Sequence, residues 1–297
     1  MRIVVAGAAG NLGSEVTAVL LGEGHDVVAI DTQIQRLEPL RGRLAGLFTV
    51  NLRQPEQIGD LLDGANLVIS TVGIGRPKKL NDFRDVDYQG NLNLLRAAQQ
   101  MGVQRFIYIS VVGVNTDRSV PLLKAKHEFE EQLIRSGLHY LIIRPSSYFT
   151  DVWRTFMTSA QKGQISLIGT TQPYRFSPIH PGDVAQFIAK NLTTQDCAVS
   201  LGGPEEFTYA EIADLCFDLL GKPPKLQITP LPLFDVLLFI LRGVNPALWS
   251  VMRFLRWAST TDLTAPKVGT RPIRAFLSEK LQTSLQLPSN ESGSLPC

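Results

Sequence analysis

Apolar, β-branched runs alternate with helical periodicity through the first half of the chain, the pattern of parallel strands joined by crossover helices. Ile3 to Ala6, Val27 to Ile30, Gly46 to Asn51, Leu67 to Ser70, Phe106 to Ser110 and Tyr140 to Ile143 predict six strands. Between them, Leu12 to Leu21, Glu56 to Leu62, Tyr88 to Met101 and Leu123 to Ser136 predict helices. Six strands with right-handed crossovers make a doubly wound, parallel α/β sheet.

Arg144-Pro145 ends the last of these strands, because proline removes a backbone donor and restricts the residue before it. Prolines then become frequent and the remaining strands short, which predicts a first domain over residues 1–145 and a smaller α/β lobe over 146–283. Inside the lobe, Leu231 to Trp257 holds more large apolar side chains than one helix stripe needs. Gly243-Val244-Asn245-Pro246 interrupts the run, so 231–257 is read as two helices and a turn. The Ser/Pro-rich residues 284–297 lack periodicity and are expected to form a flexible tail.

Composition narrows the function classes. An apolar fraction of 44% with 19% charged residues suits a folded chain rather than a disordered one. The 29 basic and 27 acidic residues are scattered and leave a net charge of +2, which argues against nucleic acid as a partner. Cys197, Cys216 and Cys297 are far apart and fit neither a disulfide framework nor a metal site. The chain enters its first strand at once, without the features of a secretory signal, so the expected location is cytoplasmic. The apolar stretch Leu231 to Leu241 contains Pro232 and Asp235 and is too short to span a bilayer.

Gly7-Ala8-Ala9-Gly10-Asn11-Leu12-Gly13 follows the first strand and opens the first helix, the context in which a glycine-rich loop carries information. Gly7 permits the tight turn, Gly10 lets backbone approach a pyrophosphate, and Gly13 allows helix to pack on strand. The helix terminus offers oriented amides to the phosphates, with Ala9, Asn11 and Leu12 in the same loop. A Rossmann-type dinucleotide site follows. Asp31, with Thr32 beside it, ends the second strand where a carboxylate can accept hydrogen bonds from the adenosine ribose, which favours NAD. NADP stays open, because Arg36 lies close enough to meet a 2′-phosphate if the loop folds back.

Taken with this loop, Val68 to Gly73, Asp87-Tyr88-Gln89-Gly90-Asn91, Phe106 to Ser110 and Ile142 to Ser146 resemble the NmrA-like group of atypical short-chain dehydrogenase/reductases. The resemblance covers roughly residues 1–225, with Ser177 to Ala185 and Gly202-Gly203-Pro204 similar to that group's second lobe. It implies that Ser70, Thr71, Val72 and Gly73 run beside the ribose and pyrophosphate. It implies too that Asn51-Leu52 borders the adenine, and that Pro145-Ser146 turns next to the cofactor. Asn91 is either an amide bonded within its helix or a residue that holds the sheet's carboxyl edge open. His180 and Asp183 resemble the group's His-x-x-Asp turn, with the task of joining the lobes and capping a helix.

Active short-chain dehydrogenases place a serine, a tyrosine and a lysine around the nicotinamide. Here Ser110 resembles the serine, and Lys126 with Glu130 resembles the lysine end of the Tyr-x-x-x-Lys-x-x-x-Glu helix. Leu122 stands where the tyrosine belongs. In the alternative register Val120 precedes Lys124 by four, and it is equally inert. Lys124 and Lys126 point about 200° apart on a helix, so only one faces the cofactor. Lys126 itself, or Tyr148 beyond the Pro145 turn, is then the candidate for a proton donor.

Two function classes remain open: an NAD(P)-dependent oxidoreductase or isomerase acting on a hydrophobic small molecule, or a non-catalytic NAD(P)-binding regulator or assembly factor with a protein partner. The hairpin 231–257 admits three placements: core of the second lobe, a peripheral membrane contact with Arg242, Arg253 and Arg256 at the headgroups, or the roof of an apolar pocket. The expectation carried forward is that it covers the cleft beside the nicotinamide end.

Overall fold

The structure, a computed structural model, describes residues 1–286 except Arg76 and 170–173, with 285 and 286 described by their backbone alone. Its centre is a seven-stranded sheet, all pairs parallel. We label its strands β1 (Arg2–Ala6), β2 (Asp26–Asp31), β3 (Gly46–Thr49), β4 (Leu67–Ser70), β5 (Arg105–Ile109), β6 (His139–Pro145) and β7 (Cys197–Leu201). The spatial order is β7-β6-β5-β4-β1-β2-β3. The order reverses between β1 and β4, and doubly wound sheets bind ligands at the carboxyl ends of strands at such a switch point.

All six predicted strands form. The runs are apolar on both faces because helices cover both sides of a parallel sheet. On one side α1 (Asn11–Gly22) packs against α4 (Pro181–Lys190), over Ile3, Val5, Ile69, Ile107 and Ile143. On the other lie α2 (Asn91–Gln100) and α3 (Pro121–Ile134), over Val4, Val68, Phe106, Tyr108 and Ile142. A third cluster, built from Val112, Leu123, Phe149, Met157, Phe217, Trp257 and Ile273, fills the second lobe.

Three expectations change. Residue 145 does not close the first layer, because the chain returns through α4 and adds β7 beside β6, pairing Leu201 with Pro145. The helix expected over Glu56 to Leu62 is two short 3-10 turns, Pro55–Gln57 and Gly59–Leu62, broken where a glycine costs helix stability. The helix expected from Tyr88 starts instead as a π-turn, Arg84–Gly90, that runs into α2.

Ile273–Gln286 is a helix whose Ile273 and Leu277 are buried, so the expected tail begins inside its last turn; the rest of that expectation, 287–297, falls outside the described residues. No helix among the described residues is long and apolar enough to cross a membrane.

Candidate functional site: the dinucleotide cleft and the lysine behind it

The loop after β1 is held by its own backbone. Gly7 adopts φ +75°, a region open to glycine, and a Cβ there would stand 2.8 Å from the Thr71 hydroxyl. A Cβ on Gly13 would fall 2.0 Å from the Gly7 carbonyl, which is why helix and strand meet so closely. Thr71 Oγ1 donates to the carbonyls of Ala6 and Gly7 at 3.1 and 3.0 Å, tying the end of β4 to the loop.

Helix α1 begins with no capping side chain and no acidic residue in its first turn. Its leading amides have no intrahelical acceptor and carry the positive end of the helix dipole, a fit for pyrophosphate. Asp31 Oδ2 accepts the Ala9 N–H at 2.9 Å, while Oδ1 accepts the Gln33 N–H at 3.1 Å. The carboxylate is thereby fixed at the rim. Arg36 Nη1 donates to Asn11 Oδ1 at 3.2 Å, so the arginine does fold back toward the glycine loop.

These groups open onto a cleft of about 810 Å³. Gly7, Ala9, Gly10, Asp31, Thr32, Arg36, Asn51, Leu52, Thr71, Val72 and Gly73, all candidates from the sequence, line it. Val50, Arg53, Ile74, Val86 and Gly90 line it too, and sequence reasoning did not single them out.

Nine expected cofactor contacts do not line the cleft: Asn11, which is bonded by Arg36, together with Ser110, Lys126 and six more. Leu12 and Gly13 are buried beneath the loop. Ser70 and Asn91 are fully buried and bonded to each other, and Asn91 Nδ2 donates to the Asp87 carbonyl at 2.9 Å. The Asn91 amide is thus bonded to the backbone of its own helical run, the first of the two readings offered for it, and its Oδ1 ties the end of β4 to that run. Ser146 Oγ donates to the Leu263 carbonyl at 2.6 Å and accepts the Ser177 N–H at 3.1 Å, so its hydroxyl is spent on joining segments of the second lobe. Pro145 is buried in β6.

Lys126 points inward and Lys124 outward to Glu128. The Lys126 ammonium stands 3.2 Å from Asp87 Oδ1 and donates to the Ile109 carbonyl at 3.1 Å and the Tyr108 hydroxyl at 3.5 Å. It lies directly behind the cleft wall, since a Cβ on Gly73 would come within 3.3 Å of Nζ and 2.8 Å of Asp87 Oδ1. Burial pushes the Asp87 carboxyl up, and the Lys126 charge pulls it back.

Ser110 Oγ and Tyr148 OH are both buried without a hydrogen-bond partner among the described residues, so neither is joined to Lys126 in a preformed relay. Burial, with Asp151 nearby, pushes the Tyr148 hydroxyl up and keeps it protonated. Such unpartnered buried hydroxyls suit a site completed by a ligand.

Sequence reasoning assigned no role to Asp87 or Tyr108. One signal was available: a tyrosine inside a buried parallel strand requires a partner for its hydroxyl.

The His180 expectation holds, because its Nδ1 accepts the Gly182 N–H at 2.9 Å and caps α4. Burial and the neighbouring Arg271 charge hold its imidazole low, which suits that acceptor role. Asp183 Oδ2 accepts the Thr270 and Arg271 amides, pinning the segment 270–271 to α4.

The hairpin forms as two helices, Leu231–Val244 and Pro246–Ala258. Its second helix packs on α3, with Trp257 Nε1 donating to Thr116 Oγ1 at 2.9 Å and Arg253 paired with Asp117 at 3.0 Å. That places it against the loop following β5, on the carboxyl edge. No residue of 231–257 lines the cleft, so the roof expectation is not met there; Trp257 is core, and the outer face of the first helix is bare. Among the described residues no group of His, Cys, Asp and Glu gathers where it could hold a metal ion.

The pattern of a family described as NAD(P)H-binding matches residues 7–195, well over half of the chain and all of the cleft from Gly7 onward. The chain belongs to this family. It is an NAD(P)H-binding protein of the NmrA-like, atypical short-chain dehydrogenase/reductase kind, as the motifs implied.

Its relatives include the photosystem II assembly factor Ycf39 of Trieres chinensis, 26% identical over 86% of this chain and 77% of that protein. Another is the chloroplastic divinyl chlorophyllide a 8-vinyl-reductase of Zea mays, 29% identical over 82% of this chain and 65% of that one. The fold is shared with an NADPH-dependent quinone oxidoreductase of Escherichia coli, crystallised with NADPH, at TM-score 0.71 and 17% identity over 94% and 99% of the two chains. A nucleoside-diphosphate-sugar epimerase of Staphylococcus aureus matches at TM-score 0.74 and 18% identity, over 94% and 100%.

Proposed function

We propose that the protein is an NAD(P)H-dependent oxidoreductase acting on a hydrophobic small molecule, with Lys126 as its proton-handling group. The observation that carries this reading is the buried Lys126–Asp87 pair set behind Gly73 of the dinucleotide cleft. A buried ion pair adds little net stability over an apolar pair, and charged groups buried beside a cleft are characteristic of functional sites. The vinyl-reductase named among the relatives supports the same class of chemistry.

The dinucleotide, when bound, supplies the hydride. The chain supplies the rest: α1 amides hold the pyrophosphate, Asp31 and Thr32 the ribose, and the Val50–Arg53 segment the adenine side. Lys126 delivers one proton to the atom beside the reduced carbon, and solvent restores it. Hydride and proton together add two electrons and two hydrogens across one double bond. Ser110 Oγ and Tyr148 OH, which have no hydrogen-bond partner among the described residues, would bond a polar atom of the substrate.

The test is isotopic. Dinucleotide deuterated at C4 of the nicotinamide should pass deuterium into a hydrophobic conjugated acceptor, such as a quinone or a vinyl-substituted ring, as read by mass spectrometry. Saturable dinucleotide binding with no deuterium in any acceptor would reject the reading.

A second reading would then take its place, that of a dinucleotide-binding assembly factor working in the cytoplasm at a membrane or protein surface. Its own observation is the first hairpin helix, where Leu233, Val236, Phe239, Ile240 and Val244 are exposed, Phe239 by 83%. The assembly factors among the relatives favour it.

On cofactor choice, NAD(H) should bind at least about tenfold more tightly than NADP(H), because the fixed Asp31 carboxylate meets a 2′-phosphate as a like charge and tenfold requires only about 1.4 kcal/mol. Titration of both into the purified chain decides it. Tighter NADP(H) binding would mean that Arg36 and Arg53, which line the same cleft, outweigh Asp31.

A further inference from the structure

We infer that Tyr108 and Asp87 replace the tyrosine missing from α3, acting as positioning residues that hold the Lys126 ammonium charged and aimed at the cleft through Gly73. The inference rests on the reading of Lys126 as the proton-handling group. Four residues before Lys126 the helix offers Leu122, which has no proton and no acceptor. The hydroxyl that meets the lysine comes from β5 instead. Tyr108 shares its strand face with Phe106, its ring is fixed edge-on by Phe129 at 4.5 Å between centroids, and Nζ of Lys126 stands 5.2 Å from the ring centroid, on the side of the hydroxyl.

Asp87 arrives from a third element. The π-turn Arg84–Gly90 carries one more residue than an α-turn would, and such turns are common at functional sites. Here Asp87 is turned fully inward, with Oδ2 accepting the Ile74 N–H at 3.3 Å and Oδ1 against the ammonium.

Three elements thus converge on one nitrogen: the ammonium donates to the Tyr108 hydroxyl and the Ile109 carbonyl, while Asp87 Oδ1 stands at 3.2 Å as its counter-charge. Gly73 completes the arrangement. Any side chain there would collide with Asp87 and press on Nζ, so the bare glycine keeps an opening between the lysine and the cleft.

The other charged groups near the pair are Glu130 of α3, bonded by Arg144 of β6, and both lie on the sheet side of the lysine's helix. Burial, with the Asp87 and Glu130 charges adding, pushes the Tyr108 hydroxyl well up. Tyr108 therefore stays neutral and serves as an acceptor for the lysine rather than as a base.

The test reads Lys126 directly, without turnover. The full chain, free of dinucleotide, is exposed to an amine-acylating reagent at fixed pH, and labelling at Lys126 is followed by mass spectrometry with Lys124 as internal reference. Asp87→Asn should raise Lys126 labelling about tenfold or more, since a buried ammonium without its counter-charge gives up its proton more readily. Asp87→Glu should return most of the difference. Tyr108→Phe, which keeps the ring and its packing, should raise labelling several-fold, and in an active chain should lower kcat with KM little changed.

Unchanged Lys126 labelling in both Asp87→Asn and Tyr108→Phe overturns the inference, whatever the activity. Altered labelling in a chain that passes no deuterium upholds the inference for Lys126 positioning and rejects the oxidoreductase reading instead.

Discussion

Glu130→Ala is expected to lower the stability of the chain by about 3–5 kcal/mol, the usual cost of removing one partner from a buried ion pair. Glu130 is 1% exposed, and both its carboxylate oxygens are taken by the Arg144 guanidinium, Oε1 by Nε at 3.0 Å and Oε2 by Nη2. The pair joins α3 to β6 across the layer that carries Lys126. Truncating it leaves a half-buried guanidinium with no acceptor in a space the carboxylate filled. Arg144 retains some contact with solvent, which puts the expected value at the lower end of that range. The Glu38–Arg41 pair provides the comparison, because it has the same two-point geometry but lies exposed on a surface turn. Glu38→Ala should change stability far less, because water already screens that pair. Urea unfolding of the two variants separates them, and equal midpoints would show that the Glu130 pair is as weak as a surface one.

The strands of the sheet's middle were legible because a parallel strand covered on both faces must be apolar at nearly every position, and Ile3 to Ala6 or Leu67 to Ser70 can be little else. The edge was not. Cys197–Leu201 is mostly partly buried, with only Leu201 buried, lies beyond a proline-rich stretch, and carries no mark of the sheet it joins. The π-turn at Arg84–Gly90 escaped because its sequence differs in no periodic feature from an ordinary helix start.

In the site, the residues that could be read were those whose roles are set by local backbone: Gly7 by its positive φ, Gly13 by helix-strand contact, Asp31 by its place at a strand end. Tyr108, Asp87 and Lys126 meet through a strand, a turn and a helix, each separated by many residues, and only the folded layers bring them together. The same limit explains Ser70 and Asn91. Polar residues near a strand's carboxyl end suggest a ligand, whereas these two satisfy each other below the cleft floor.

Lys126→Met should reduce turnover by about 10²–10⁴-fold, the range associated with losing a positioned proton donor, while Lys124→Met leaves it within about twofold. The two lysines share a helix and differ in direction. Lys126 has its ammonium behind Gly73, and Lys124 has its own in solvent beside Glu128. A simple loss of activity would not separate chemistry from folding, because removing the lysine leaves Asp87 buried without a counter-charge. The double variant Lys126→Met with Asp87→Asn resolves this. It removes both charges, so its stability should recover most of what Lys126→Met loses, and its affinity for the dinucleotide should stay near that of the unaltered chain, since the glycine loop and Asp31 are untouched. Its turnover should remain as low as that of Lys126→Met. If activity returned together with stability, the lysine would be serving the fold alone, and the proton would have to come from Tyr148 or from solvent.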